Sequence, residues 1–168
     1  MATAKTIRPL ESFLAALPPR GTLIGMDVGT KSIGLALSDL TRSIASTLET
    51  VRRVKFTPDA ARVLELAGRH GVVGFVIGYP VNLDGSRGPR AQATEAFSRS
   101  FAALTPLPIL LWDERLSTVA AERSLLEADL SRAKRADRID MIAAVIILQG
   151  ALDRMRNMAA PGDVVSDR

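Results

Sequence analysis

Three acidic residues stand at points where apolar segments of the chain end or begin. Asp27 comes at the end of the segment 23–28, Glu114 follows Trp112 by two residues, and Asp140 lies near the start of the last apolar segment. Carboxylate oxygens are hard ligands that suit Mg²⁺ or Mn²⁺. Two such ions about 4 Å apart can activate a water and stabilise the leaving oxygen in phosphodiester hydrolysis. The alternative for each acid alone is a solvated or capping residue.

Two further acids neighbour this set. Asp137 lies three residues before Asp140, so the two share a face if the segment is helical. Asp137 is therefore a candidate for an extra metal ligand or for support of one. Asp113 precedes Glu114, and its side chain should point away from Glu114 if the strand continues. We interpret Asp113 as an orienting or structural residue.

Basic residues flank the acids on both sides. They are candidates for contacts to the phosphates around the scissile bond, because such contacts dominate nucleic-acid affinity. For each one alone, an exposed, solvated position is the competing interpretation. The strongest candidates are the four that directly precede Asp140. The full set is Lys31, Arg87, Arg90, Arg115, Arg132, Lys134, Arg135 and Arg138.

The apolar pattern predicts the elements that position these side chains. Segments 23–28, 33–38, 45–52, 72–77 and 109–112 have the composition of strands, and the short link 29–32 suits a hairpin. A helix that Thr57 caps should end before Gly71, and a second should carry the residues from 93 to 104. A third helix should start near Ser117, and a last helix should span about 136–154. This order predicts an α/β domain with a five-stranded mixed sheet flanked by helices.

Chain length allows a single core, because 168 residues divided in two would leave marginal domains. We expect an N-terminal extension with a short helix over 1–20, one domain over 21–156, and a disordered tail over 157–168. If the first and fourth strands are neighbours about 4.8 Å apart, Asp27 and Glu114 should point into one crevice. Asp140 could reach them from a helix that packs across the sheet.

Composition excludes several kinds of chemistry. The chain has no cysteine, so disulfides, thiolate nucleophiles and cysteine zinc sites are absent. Its only histidine, His70, lies at a predicted helix end beside Gly71, where capping is the simpler role. The net charge of +4 is a mild indication of an anionic partner. No apolar run is long enough to span a bilayer.

Four motifs in order resemble the YqgF/RuvX family, relatives of the RuvC Holliday-junction resolvases. The first is GMDVGTKSIG over 25–34, and the second is the glycine loop GYPVNLDG over 78–85. The third is the acidic motif DERLST over 113–118, and the fourth is the final helix IDMIAAVIIL over 139–148. The first motif alone is weak, whereas four in this order over residues 21 to about 152 are highly specific.

This resemblance implies an RNase H-like fold and a cytoplasmic nuclease with a role in maturing the 5′ end of 16S ribosomal RNA. It carries catalytic and metal-binding roles, with two Mg²⁺ or Mn²⁺ ions, onto Asp27, Glu114 and Asp140. Asp137 departs from the family pattern and ranks below them. The partner would be nucleic acid, with precursor ribosomal RNA ahead of branched DNA, and the chain would act as a monomer or a homodimer.

Three alternative functions stay open at this point. A Holliday-junction resolvase would use the same acids on DNA. The segment Asp27–Lys31 also resembles the phosphate hairpin of sugar kinases and actin-like ATPases, but those proteins bind nucleotide between two such domains. A catalytically silent nucleic-acid-binding module is disfavoured because all three carboxylates are present.

Overall fold

The fold is described by a computed structural model that covers residues 6–116 and 132–166, without the side chains of 132–136 and 159–166. Its strands are β1 (Ile7–Arg8), β2 (Thr22–Val28), β3 (Ser32–Ser38), β4 (Ala45–Arg52), β5 (Val72–Tyr79) and β6 (Ile109–Asp113). Its helices are α1 (Leu10–Ala16), α2 (Phe56–Arg69), α3 (Pro89–Ala102) and α4 (Arg132–Ser166), with a 3₁₀ turn at Glu114–Leu116.

All the described strands form one sheet in the order β1-β6-β5-β2-β3-β4. Strand β3 is antiparallel to both of its neighbours, whereas β2, β5 and β6 are mutually parallel. The five expected strands are therefore confirmed, in the order typical of an RNase H-like domain. The sixth, β1, comes from the N-terminal extension, where Ile7 and Arg8 pair in parallel with Ile109 and Leu110. A two-residue strand is too short to show an alternating apolar pattern in sequence, so the expected number of strands was one too low.

Alternating side chains divide the core between the two faces of the sheet. On one face Ile24, Met26 and Phe75 pack against apolar residues of α2 and α3. On the other face Leu23, Val76 and Trp112 pack against Phe13 of α1 and the apolar side of α4. Trp112 is only 4% exposed, so it belongs to the core. Odd-numbered positions of β2, including Asp27, thus belong to the face that α4 covers.

Helix α2 begins earlier than the sequence indicated. Its first residue is Phe56, and the N-cap position is Lys55, whose side chain makes no capping hydrogen bond. Thr57 is therefore inside the helix and is not its cap. The Asp59 carboxylate instead accepts a hydrogen bond from the Val54 N–H at 3.2 Å, just before the first turn. At the other end Gly71 has φ of +63°, the left-handed conformation that a terminating glycine supplies.

Helix α4 is longer than the range 136–154 that the apolar pattern indicated. Its backbone is helical from Arg132 to Ser166, which includes most of the segment after Asn157 that we expected to be disordered. Neither glycine nor proline occurs between Ala151 and Ala160, which favours a helix there, whereas Pro161 and Gly162 within the helical range do not. Although α4 is long, no helix in the described ranges is apolar enough to cross a membrane.

Candidate active site

Asp27 is a buried carboxylate at the carboxyl end of β2. Its residue is 4% exposed, and in the sheet it stands opposite Gly34 of the antiparallel neighbour β3. Because side chains alternate along a strand, Asp27 shares the α4 face with Gly25 and Leu23. Burial of a carboxylate is costly unless it is hydrogen-bonded, paired or bound to a cation. A buried acid at a strand end is therefore a strong candidate for a functional residue.

Three glycines let α4 approach the sheet backbone. A Cβ on Gly25 would lie 2.6 Å from Cβ of Leu148, and one on Gly78 would lie 2.5 Å from Cδ1 of Ile147. A Cβ on Gly34 would overlap the backbone carbonyl of Asp140. We call Gly25, Gly34 and Gly78 the glycine floor. These residues lie on three adjacent strands and face the same helix. A side chain on Gly25 or Gly34 would push α4 outwards, and one on Gly78 would displace the Ile147 side chain.

Asp140 stands directly over Gly34. A Cβ placed on Gly34 would be 3.0 Å from Cβ of Asp140. Gly34 is in turn the residue opposite Asp27, where paired Cβ positions are about 5 Å apart. The Oδ2 atom of Asp140 accepts a hydrogen bond from the Ser32 hydroxyl at the start of β3. Helix packing therefore places Asp140 beside Asp27 at the same edge of the sheet.

Glu114 reaches this face from farther away than expected. It follows β6, and β5 lies between β6 and β2, so its backbone is two strand spacings, about 9.6 Å, from that of Asp27. The first and fourth predicted strands, β2 and β5, are neighbours as expected, but the glutamate follows the fifth predicted strand, β6, which lies one strand farther out. The longer side chain compensates: Oε2 of Glu114 lies over β5, 3.0 Å from where a Cβ of Gly78 would be.

The donor chemistry of these three residues fits a hard divalent cation. Asp27, Glu114 and Asp140 supply only carboxylate oxygens, and all three lie on the α4 face at one edge of the sheet. Within residues 6–116 and 132–166, however, no group of three or more acidic or imidazole side chains is close enough to hold a metal ion. Binding a cation would therefore require these carboxylates to move towards one another.

Asp137 is directed towards β4. Its carboxylate lies 3.3 Å from the Arg52 guanidinium, with exposed fractions of 51% and 74% for the two side chains. Its backbone carbonyl accepts a hydrogen bond of 2.8 Å from the Thr50 hydroxyl. These contacts fasten the start of α4 to β4 and occupy the carboxylate that we considered as an extra ligand.

Asp113 pairs with Arg115. Its carboxylate accepts hydrogen bonds from the Arg115 guanidinium at 2.6 and 3.0 Å and from the Arg115 backbone N–H at 2.9 Å. The guanidinium holds the pKa of Asp113 below its ordinary value. Arg115 in turn lies 3.4 Å from the position of a Cβ on Gly85. The pair thus links the end of β6 to the glycine loop.

The glycine loop continues beyond β5 into a turn, and the segment 80–88 is held by its own hydrogen bonds. The Asp84 carboxylate accepts from the backbone N–H and hydroxyl of Ser86, and the Asn82 N–H donates to the Ser86 carbonyl at 2.9 Å. Gly85 has φ of +87°, which confirms that this residue is a turn former. Arg87 lies 2.8 Å from Glu95 of α3, so its guanidinium pairs with that acid.

Lys31 and Arg90 are the predicted cations that the structure brings to Asp140. They line one open depression together with Gly29, Thr30, Ser32 and Asp140. Arg138 is exposed on α4, two residues before Asp140. The side chains of Arg132, Lys134 and Arg135 lie outside the described part of the chain, so their contact with phosphate stays a prediction.

Comparison with known proteins identifies the family. The family model described as "RuvX: Holliday junction resolvase" matches residues 21–154. The chain belongs to this family. A relative from Rhodobacter capsulatus, named "Putative pre-16S rRNA nuclease", is 57% identical over 149 residues, covering 89% of this chain and 94% of the relative. A Cereibacter sphaeroides relative with the same name is 60% identical over 146 residues, covering 87% and 91%.

A solved structure of RuvC from T. thermophilus, in complex with a Holliday junction substrate, is also similar. Its TM-score is 0.49 at 16% identity, and the match covers 80% of this chain and 96% of that one. The RuvX match and the names of the relatives assign the chain to the nuclease hydrolases. In this chain the three candidate acids come from β2 (Asp27), from the turn after β6 (Glu114) and from α4 (Asp140).

Sequence reasoning missed the role of Ser32. This serine was part of the first RuvX-like motif, yet only Asp27 and Lys31 of that motif received a candidate function. The available signal was its spacing: Ser32 lies two residues before Gly34 in a predicted strand, so the two share a face. That face could be assigned to α4 only once the packing of α4 on Gly34 was seen.

We expect Asp137→Asn to reduce cleavage modestly and to change the free energy of unfolding by less than about 1 kcal/mol. The pair with Arg52 is exposed, and such pairs contribute little because water and salt screen them. Cleavage rates and urea unfolding of the variant would be compared with wild type. Complete loss of cleavage with an unchanged circular dichroism spectrum would instead make Asp137 a metal ligand.

Proposed function

We propose that this protein is a metal-dependent nuclease that matures the 5′ end of precursor 16S ribosomal RNA in the cytoplasm. The observation that carries the proposal is the position of three carboxylates on one sheet face. Asp140 stands over Gly34 opposite Asp27, and Glu114 extends over Gly78. The names of the curated relatives support ribosomal RNA as the substrate.

In this proposal Asp27, Glu114 and Asp140 would hold Mg²⁺ or Mn²⁺. When bound, such an ion lowers the pKa of a water and stabilises the charge that develops on the phosphate. The glycine floor keeps α4, and with it Asp140, close to the sheet. Lys31 and Arg90, beside Asp140, would bind the backbone phosphates that flank the scissile bond. None of these contacts reads a base, so sequence selection would depend on substrate shape.

Cleavage of a four-way DNA junction is the second candidate. The description of the matched family model names a Holliday junction resolvase, which favours this substrate. Because a junction has two-fold symmetry, its resolution usually requires a symmetric dimer. Oligomeric state in solution, measured by light scattering, therefore bears on the choice between the two substrates.

A panel of substrates tests the proposal. Precursor 16S RNA with its 5′ extension, unrelated single-stranded RNA and a four-way DNA junction would each be incubated with protein and Mg²⁺ or Mn²⁺. The proposed function predicts metal-dependent cuts at the mature 5′ end and little cleavage of the junction. Preferential cutting of the junction would establish the second candidate, and ATP hydrolysis without any cleavage would support the phosphotransfer alternative.

We expect Lys31→Ala combined with Arg90→Ala to weaken RNA binding and to flatten its salt dependence. Each phosphate contact to a single strand contributes about 0.7 to the slope of log affinity against log salt, so losing two should change it by about 1.4. Affinity across a salt series would give the slope. The triple variant Arg132→Ala, Lys134→Ala, Arg135→Ala tests the neighbouring segment in the same way. An unchanged slope in either variant would mean that those cations are only solvated surface residues.

A further inference from the structure

Two separate contacts from β3 hold Asp140. The backbone of Gly34 lies against the Asp140 carbonyl, and the Ser32 hydroxyl donates a hydrogen bond to Oδ2 of the Asp140 side chain. Ser32 and Asp140 are 108 positions apart in the chain, so this bond is a tertiary contact. Ser32 and Gly34 lie on the same face of β3, two residues apart, and both meet the same residue of α4.

These two contacts fix different parts of Asp140. Backbone packing at Gly34 sets the position of the α-carbon but leaves two side-chain torsions free. A carboxylate free to rotate would sample several orientations, and holding it in one costs conformational entropy. The Ser32 hydroxyl donates to one of the two carboxylate oxygens, Oδ2. Ser32 therefore restrains the orientation of the Asp140 side chain, whereas Gly34 restrains the position of its backbone.

We propose that Ser32 is a positioning residue that restrains the Asp140 carboxylate in an orientation suited to metal binding. This inference rests on the proposed function, because it assigns Asp140 a metal-binding role. Carboxylates that bind a metal are themselves commonly hydrogen-bonded by outer groups, and removing such a partner typically costs 10–100-fold in metal affinity or activity. In this proposal Ser32 acts on the metal through Asp140.

Ser38 offers a matched control on the same strand. Its side chain lies on the same face as Ser32, is 3% exposed, and accepts a hydrogen bond of 2.9 Å from the Leu23 N–H. Removing either hydroxyl leaves a polar partner without its bond, at a cost of about 1–3 kcal/mol where that partner is buried. Ser38→Ala should therefore destabilise the fold at least as much as Ser32→Ala. Only Ser32→Ala should alter the response to metal.

The experiment compares wild type, Ser32→Ala, Ser32→Thr and Ser38→Ala. Mn²⁺ binding would be measured without substrate by calorimetry and by the metal-induced rise in Tm, which gives a binding midpoint. The Mn²⁺ concentration that supports half-maximal RNA cleavage gives a second midpoint and would be measured separately. We expect Ser32→Ala to raise both midpoints by about 10–100-fold. Ser32→Thr keeps the hydroxyl and should stay close to wild type, and Ser38→Ala should lower Tm without moving either midpoint.

Three results would overturn the proposal. One is an unchanged Mn²⁺ midpoint in Ser32→Ala, and another is an equal change in Ser38→Ala. The third is tighter Mn²⁺ binding in Ser32→Ala, which would mean that the serine restrains Asp140 away from the metal. In each of these cases wild-type cleavage would still support the nuclease function. Wild type that neither binds Mn²⁺ nor cleaves would instead refute the proposed function and this inference together.

Discussion

Asp140→Asn is expected to reduce RNA cleavage to background while leaving the fold intact. The amide has nearly the shape of the carboxylate and can still accept the Ser32 hydrogen bond through its oxygen. It removes the negative charge that a hard cation requires. Since loss of an outer partner already costs about 10–100-fold, loss of a direct ligand should cost more than that. Asp27→Asn and Glu114→Gln should behave alike.

Two other acids serve as controls for these amide variants. Asp153 is exposed on the same helix as Asp140, and Asp113 adjoins Glu114 but pairs with Arg115. Asp153→Asn and Asp113→Asn should retain metal-dependent cleavage, measured on the same RNA at saturating Mg²⁺. Turnover at the wild-type rate in any of the three active-site variants would remove that residue from the mechanism. Circular dichroism and Tm would verify that each variant is folded.

Among the glycines in the described part of the chain, Gly34 should lose the most stability when it is replaced by alanine. The new Cβ would overlap the backbone carbonyl of Asp140, and neither partner can rotate away because both belong to regular elements. Overpacking of a core typically costs 1–3 kcal/mol, and we expect about 3 kcal/mol or more here. At roughly 2–4 °C per kcal/mol for a chain of this size, Tm should fall by about 6–12 °C.

Gly68→Ala is the matched control for this prediction. Gly68 is an exposed position of α2, and a Cβ built there meets nothing within 4 Å. The same chemical change should therefore stabilise the protein by about 0.5–1 kcal/mol, because alanine loses less conformational entropy in a helix. Thermal unfolding of both variants would test the contrast. A Gly34→Ala protein as stable as wild type would mean that α4 does not pack closely on β3.

Most of the fold could be predicted because its strands and helices have strong local patterns. The alternation in 33–38 and the apolar run 72–77 specified β3 and β5. What escaped prediction had two causes. Strand β1 exists only through its pairing with the distant β6. The start of α2 was missed for a local reason, because Lys55 at the N-cap position makes no capping hydrogen bond and Asp59 instead accepts one from the Val54 N–H.

The acids of the site could be named from sequence, but their arrangement could not. Their types and positions pointed to Asp27, Glu114 and Asp140, and the family match includes all three. Strand order decided that β5 separates Asp27 from Glu114, and no local pattern encodes strand order. Likewise, Gly34 and Gly78 appeared in sequence as motif glycines. Only the packing of α4 shows that the lack of a side chain at these two glycines makes room for Asp140 and Glu114.

The position of α4 after the six described strands bears on how this protein folds during its own synthesis. A nascent chain that has released only β1 to β6 would carry Asp27 and Glu114 but not Asp140. The sheet face formed by Leu23, Val76 and Trp112 would then lack the apolar side of α4 that covers it. Such an intermediate would expose apolar surface and be prone to aggregation. Under the proposed function, α4 would cover that surface and add the third acid of the site in the same late step, so a chain without α4 should show no nuclease activity.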